Sequence, residues 1–496
     1  MRTAGALRLS LLFVLLAPAQ LAMQVDSSWQ PVVPGIDYQE FTLPHPNRAF
    51  VARLDRREPS VTLETTIAKG VFGQGTETVS GMVERYDQSV SNWGGQWGMR
   101  NNIVVAVNGS FHDTSSGMPE TGMVQSGWYA KRFDDLGGST GFVWTRDRSA
   151  YVGGCAFHPS ERQQFILLDS GTTLYIDALN FRERDSELTL YTPQRGAQTP
   201  QRDESVELQI ELTEPAGIVP PPRSVLGYIR QISPQGGGTL IPYDHVVLSA
   251  SGADGELLLQ RAELGGRVGL TSEITNFEPD CRTPAPNDWS RTYASLGGSF
   301  HFLNEGQIQD FEDLGAITRQ PRTAICFNER YVYFVVVDGR QSGSVGMTMD
   351  ELGAFCRDTL ESTEGLNQDG GGSSTMWMED GVRNRPSDGQ ERPVANGWLM
   401  VQLEPLERSY AFLPGEPITM TQLEDLRLGP GFNYRGYADL QEGASGSIIH
   451  PLNGLEGVLA QGSYWWKVSV DGHEGWVEES ALASDPDWQA LWRWHP

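Results

Sequence analysis

Asn367-Gln368-Asp369-Gly370-Gly371-Gly372-Ser373-Ser374-Thr375-Met376-Trp377 sets one carboxylate against three glycines and three hydroxyl residues. Glycine has no Cβ, so such a run can turn the backbone until N–H groups converge on one point, where hydroxyls add donors. The expectation is an oxyanion-holding loop with Asp369 at its mouth. A Gly/Ser tract can also be a flexible linker. This one, however, lies between a helical pattern and the apolar Met376-Trp377-Met378. No Gly-Lys-Ser/Thr follows the glycines, which excludes a P-loop.

The surroundings of this loop decide the architecture. Upstream, Thr348-Met349-Asp350-Glu351 has the form of a capping box and opens a helix that turns Leu352, Phe355, Cys356 and Leu360 inward. Before it, residues 324–327 and 331–337 flank the turn Asn328-Glu329-Arg330 and read as a core hairpin, its second strand running into Asp338-Gly339-Arg340. Downstream, Arg383, Arg385, Glu391, Arg392 and Asn396 precede a final strand at 398–403.

Nearer the N-terminus, strand-like alternation at 38–43, 50–54 and 61–67 leads to a helix with Thr76 as its cap. Val79, Met82, Val83, Tyr86 and Val90 form one face of that helix. The apolar run 103–107 predicts a strand covered on both faces, ending in Asn108-Gly109-Ser110-Phe111-His112-Asp113. Polar residues just past a buried strand are where open sheets place ligands. Residues 141–270 read as strands and turns, at 165–168, 187–191, 206–212 and 246–249. Pro220-Pro221-Pro222 and Gly236-Gly237-Gly238 mark turns among them. The predicted class is α+β, with mixed, largely antiparallel sheets and a few packing helices. A composition shift at 404–416 separates a small all-β module rich in Gly and Trp, at 409–483.

Composition bounds the function. A chain of 496 residues exceeds what one core usually serves, and 39% apolar content is that of a folded protein. A net charge of −26 argues against nucleic acid or an anionic membrane surface as partner. Arginines gathered between 319 and 396 are then what an anion site in so acidic a chain requires.

Residues 1–19 read as a signal peptide: Arg2 and Arg8, an apolar run at 9–16, then Ala17-Pro18-Ala19. Retained, that run would be an anchor; removed, it leaves no integral membrane segment. The expected location is secreted, periplasmic or at the cell surface. Four cysteines (Cys155, Cys281, Cys326 and Cys356) allow three pairings into two disulfides, and Cys356 could equally be a buried free thiol. Asp113, Asp338 and Asp369 offer oxygen ligands for a shared Ca²⁺ or Mg²⁺.

Five segments in order resemble the phosphodiester glycosidase family: Asn108-Gly109-Ser110-Phe111, Pro321-Arg322-Thr323-Ala324, Val337-Asp338-Gly339-Arg340, the run from Asp369 to Met376, and the run from Asn384 to Asn396. Weaker matches at Leu190-Tyr191-Thr192-Pro193 and Leu296-Gly297-Gly298-Ser299 fall between them, so the resemblance spans 38–403. Ser110 and His112 depart from the family's usual second glycine and second aromatic. The module at 409–483 resembles a bacterial SH3-like domain, implying a barrel that holds cell-wall glycan.

The resemblance implies hydrolysis of a sugar-1-phosphodiester, of the N-acetylglucosamine-1-phosphodiester type, to a free sugar and a phosphomonoester. Negative charge grows on the departing phosphate while positive charge grows at the anomeric carbon. Arg322 and Arg392 are then the expected phosphate ligands, since a guanidinium matches two phosphate oxygens. Gly370, Gly371, Gly372, Ser373 and Ser374 would add donors, and Asn108 and Asn396 complete the binding set. Asp369 is the expected nucleophile or base, with Asp338 or Glu391 as the partner carboxylate. The competing class is a non-catalytic protein that binds a phosphosugar or cell-wall glycan.

Overall fold

The computed structural model describes residues 28–95, 97–133, 140–154, 156–181, 188–201, 205–276, 288–379, 381–484 and 488. The signal-peptide reading and Cys155 and Cys281 lie outside these.

The chain is mostly β, with 47% strand and 12% helix. Largely antiparallel sheets with packing helices are found as expected, but "α+β" overstates the helices. Among the described residues, the helices are three of eight to ten residues that cover sheet faces, one four-residue turn and short 3₁₀ segments. One source of the difference is the 13-residue strand Thr292–Asn304, which pairs with both Thr140–Thr145 and Glu364–Asn367.

Two sheets stack around one large apolar cluster. The first runs Gln30–Val33, Ile36–Leu43, Asn47–Asp55, Tyr331–Val337, Arg322–Phe327, Glu364–Asn367, Thr292–Asn304, Thr140–Thr145 and Ala150–Gly153. The second runs Gly381–Val382, Met376–Met378, Met99–Asn108, Asn396–Pro405 and Val61–Ile67. Phe50, Phe334, Ile325 and Leu366 from the first meet Val105, Val107, Trp398 and Met400 from the second. Full burial of such side chains stabilises by about 1.5–3 kcal/mol each.

Helices close the outer faces. Met349–Asp358 carries the expected capping box and packs Leu352, Phe355 and Cys356 on the first sheet. A Cys326–Cys356 disulfide ties it to the strand beneath, which resolves the open choice between thiol and bridge. Val79–Tyr86 covers the second sheet, with Met82 and Val83 inward. Its cap is Thr78 rather than Thr76, because the Thr78 side chain accepts from Gly81 N. Val90 lies past the helix, in a two-residue strand.

Eight strands between Gln163 and Ser272 form a separate sheet with its own apolar cluster, onto which helix Gly252–Arg261 packs through Leu258. The C-terminal module is another antiparallel eight-stranded sheet around Trp466, Val468 and Val477. Trp465 and Trp476 face the main body instead, joining Val90 and Tyr243 in a shared cluster. All three module tryptophans are buried, so they serve packing.

The module is also held by charge. Glu211 lies within 3.3 Å of Lys467 Nζ and accepts from Leu452 N (3.0 Å) and Arg230 Nε (2.7 Å). Asp244 accepts from Asn453 Nδ2 (3.2 Å) and pairs with His245 Nδ1 (2.6 Å). Glu211, Asp244, His245 and Lys467 are all buried. Among the described residues no helix is long and apolar enough to cross a membrane.

Candidate functional site

The glycine loop carries the chain from one stacked sheet to the other. It leaves the first at Asn367, paired with Ala324, and enters the second at Met376, paired with Val107. Asn108 sits one residue past Val107, opposite Gly397, and Asp338 follows the Val337 that pairs with Arg322. The motifs that lie far apart in sequence therefore meet at one rim because the strand registers bring their ends together.

Asn108 is the brace of this rim. Its Nδ2 donates to Asp369 O (2.7 Å), and its Oδ1 accepts from Thr323 Oγ1 (2.7 Å) and Thr375 N (3.1 Å). Asn396 does the same for the neighbouring turn, accepting from Ser110 N (2.8 Å) and donating to Ser110 Oγ (2.9 Å). Both are fully buried. The structure places them as positioning residues, holding the backbone on either side of Asp369, and not as groups presented to a substrate.

Asp369 is half-buried, and its carboxyl is raised above the ordinary aspartate range by burial. The Ser373 hydroxyl, His112, Arg392 and the Gly370 N–H act in the opposite sense. Ser373 Oγ stands near the carboxyl without completing a hydrogen bond of regular geometry. His112 is thus a neighbour of Asp369, which the hairpin His112–Asp113 with Met118–Pro119 delivers.

Two guanidinium groups flank the glycines. Arg392 is paired with Asp388 (2.6 Å), and a Cβ on Gly372 would overlap both. Arg340 donates to Gln320 Oε1 (2.9 Å) and lies 3.2 Å from where a Cβ on Gly371 would stand. Gly371 itself has φ +65°, a conformation that favours glycine. Sequence reasoning missed Arg340 as a site residue, although its motif ends on it.

Other expected ligands are engaged elsewhere. Arg322 is buried, donating to Met347 O (2.8 Å), Gly315 O (2.7 Å) and Thr318 O (2.8 Å), so it holds the 314–318 turn rather than a phosphate. Burial pushes it down to about 10. Glu391 accepts from Ser80 Oγ (2.6 Å) and Ser80 N (3.1 Å) at the start of helix Val79–Tyr86, where a carboxylate complements the helix dipole. Asp338 accepts from Asn384 Nδ2 (3.2 Å) and Arg385 N (3.0 Å), while Asn384 donates to Ser374 O (2.9 Å). Asp338 therefore stands behind the loop; burial raises its carboxyl. Neither carboxylate is placed as the partner of Asp369.

The loop N–H groups are not the open nest that the glycines suggest. Gly371 N donates to Pro321 O (3.0 Å), while Ser373 N and Ser374 N donate back within the loop (3.3 Å each). Hydroxyls add to the donors still available: among the described residues Ser373 Oγ, Ser374 Oγ and Thr375 Oγ1 are buried with no hydrogen-bond partner of regular geometry. Asp113 does not join Asp338 and Asp369, because it is exposed and accepts from Ser115 N (2.7 Å) and Ser116 N (3.1 Å). Among the described residues no group of three or more His, Cys, Asp or Glu is disposed to hold a metal ion.

Gly372 gives a separable test of this arrangement. The atoms a new Cβ would meet are the mobile ends of Arg392 and Asp388, not backbone. Gly372→Ala should therefore shift the melting temperature by no more than a few degrees, because those side chains can swing away. A ligand held through Arg392 should bind about tenfold more weakly, measured as KM or Kd.

A family model described as phosphodiester glycosidase matches residues 231–401, which hold Arg322, Asp338, the glycine loop, Arg392 and Asn396 but neither Asn108 nor the module. Similar solved structures include a hypothetical protein from Synechocystis, at 17% identity and TM-score 0.48 over 74% of this chain; the chain covers 62% of that protein's length. A Burkholderia pseudomallei protein described as exported matches at 17% identity and TM-score 0.46, covering 72% of this chain and 74% of the other. The catalytic domain of zebrafish N-acetylglucosamine-1-phosphodiester alpha-N-acetylglucosaminidase, auto-inhibited by its pro-peptide, matches at 12% identity and TM-score 0.36, with coverages of 74% and 81%. None is close enough to transfer a residue's role. No curated protein matches.

Proposed function

We propose that the chain is an exported hydrolase that cleaves the glycosidic bond of a sugar-1-phosphodiester, acting on envelope or extracellular polysaccharide. The supporting observation is the position of Asp369: a half-buried carboxyl of raised affinity for protons, beside His112 and Arg392, at a loop lined by unpaired hydroxyls. The family match, which takes in Asp369 and Arg392, supports the reaction class.

Water, deprotonated by Asp369, attacks the anomeric carbon. The bond from that carbon to the phosphoryl oxygen breaks and its electron pair leaves on the phosphate. Asp369 holds the proton and releases it to solvent. The leaving phosphomonoester has a second pKa near 6, so it departs without a general acid. One carboxylate is then enough, so neither Glu391, bonded to Ser80, nor Asp338, whose Oδ1 is bonded to Asn384 and Arg385, is required as a second. Arg392 and Arg340 would offset the charge that grows on the leaving group, with Ser373 and Ser374 donating to its oxygens. The module reads as an SH3-like domain that keeps the enzyme near glycan.

Hydrolysis of UDP-N-acetylglucosamine or a synthetic sugar-1-phosphodiester in ¹⁸O-labelled water tests the bond cleaved. Label in the released sugar supports attack at carbon; label in the phosphate overturns it. Saturable binding of the same compounds with no turnover would favour a phosphosugar-binding protein.

A further inference from the structure

A cavity of about 550 Å³ lies away from the glycine loop; none of residues 367–375 line it. It lies between the main body and the C-terminal module, with Thr65, Asn101 and Leu399 of the second stacked sheet on one side and residues 427–428 and 432–435 of the module on the other. Its volume falls within the range of small-molecule sites.

The lining mixes aromatic faces with polar atoms that have no partner. Trp97, Trp128 and Phe432 contribute rings, and Phe432 is 46% exposed, at the mouth. Ser89 and Asn101 are at least 95% buried, yet Ser89 Oγ and Asn101 Oδ1 make no hydrogen bond; Asn433 Oδ1 is likewise unpaired. Buried polar atoms normally find partners, so a lining that leaves several open is built for something that supplies them. Unlike these, the Glu64 carboxylate is satisfied, accepting from Tyr293 OH (2.6 Å), Ser126 Oγ (2.7 Å), Ser126 N (2.9 Å) and Thr65 N (2.8 Å).

We propose that this cavity binds an uncharged pyranose unit of a glycan, and that the module's role is to close it. A pyranose offers C–H faces to the aromatic rings and hydroxyls to the open acceptors. An anion fits less well. The two amide oxygens would repel it, and of the cations that line the cavity, Lys69 and Arg435 are exposed. Arg427 keeps one unpaired N–H at Nε, but its other nitrogens donate to Tyr434 O (3.1 Å) and Asp425 (3.2 Å). The site does not depend on the chemistry at Asp369.

Titration of the full chain with N,N′-diacetylchitobiose and with maltose, followed by calorimetry and tryptophan fluorescence, tests this. Saturable binding of at least one sugar is expected, weakened about tenfold or more by Trp97→Ala and by Asn101→Ala. Phe432→Ala, at an exposed position, should weaken it without disturbing the fold. Asp369→Asn should leave binding unchanged, which separates this site from the glycine loop. Saturation by neither sugar overturns the proposal. So does binding lost in Asp369→Asn but kept in Trp97→Ala, or a response only to a sugar phosphate.

Discussion

Asp369→Asn should lower kcat for a sugar-1-phosphodiester by about 10³-fold or more, with KM changed little. The amide keeps the size of the side chain and can still meet Ser373, so the loop stays in place. Its neighbours hold only the backbone of residue 369: Asn108 bonds its carbonyl and Gly109 O accepts its N–H (2.9 Å). What is lost is the base. The same carboxyl sets the acid limb of the pH profile. Burial raises its affinity for protons, and the base form is the ionised one. The acid limb of kcat/KM should therefore have its midpoint above 3.8, the ordinary aspartate value, with activity rising as pH increases through it. A midpoint at or below the ordinary value, or an active Asn variant, would remove Asp369 from the chemistry.

Lys467→Met should produce the largest loss of stability, about 3–5 kcal/mol, because it strips the cation from two buried carboxylates while retaining most of the side-chain volume. Burial alone would lower the Lys467 ammonium, but Asp244 and Glu211 outweigh it and raise it. Burial would likewise raise Asp244, yet Lys467 and His245 hold it down to about 2, against 3.8 for a free carboxyl. A depressed carboxyl favours the folded state above its unfolded pKa, and that contribution is lost as the proton returns. Denaturation midpoints of the native chain should accordingly fall between pH 4 and pH 2. The variant should show a flatter dependence over that window. An unchanged midpoint in the variant would mean that the docking rests on the apolar contact of Trp465 and Trp476 alone.

Such a network also revises what the module is. Its composition marks a small independent domain, whereas its buried Lys467 and two of its tryptophans are turned to the body beneath.

Local sequence was sufficient for the elements around the site. The capping box at Thr348, the hairpin at 322–337 and the glycine loop are each set by interactions within a few residues: a side-chain cap, a period-two apolar run, a missing Cβ. The charge contrast between a chain of −26 and its arginine-rich stretch also survives, in Arg340 and Arg392 beside the loop. Which polar residue does what was decided by tertiary structure. Asn108, Arg322, Asp338 and Glu391 are polar like Asp369 and Arg392, but their side chains are bonded within the protein: Asn108 to Thr323 and Glu391 to Ser80, more than two hundred positions away, Asp338 to Asn384 and Arg385, and Arg322 to the carbonyls of Gly315, Thr318 and Met347. A polar group taken out of water must be paired. The pairing is set by strand register and sheet stacking, which bring together residues more than two hundred positions apart, and no local pattern encodes it.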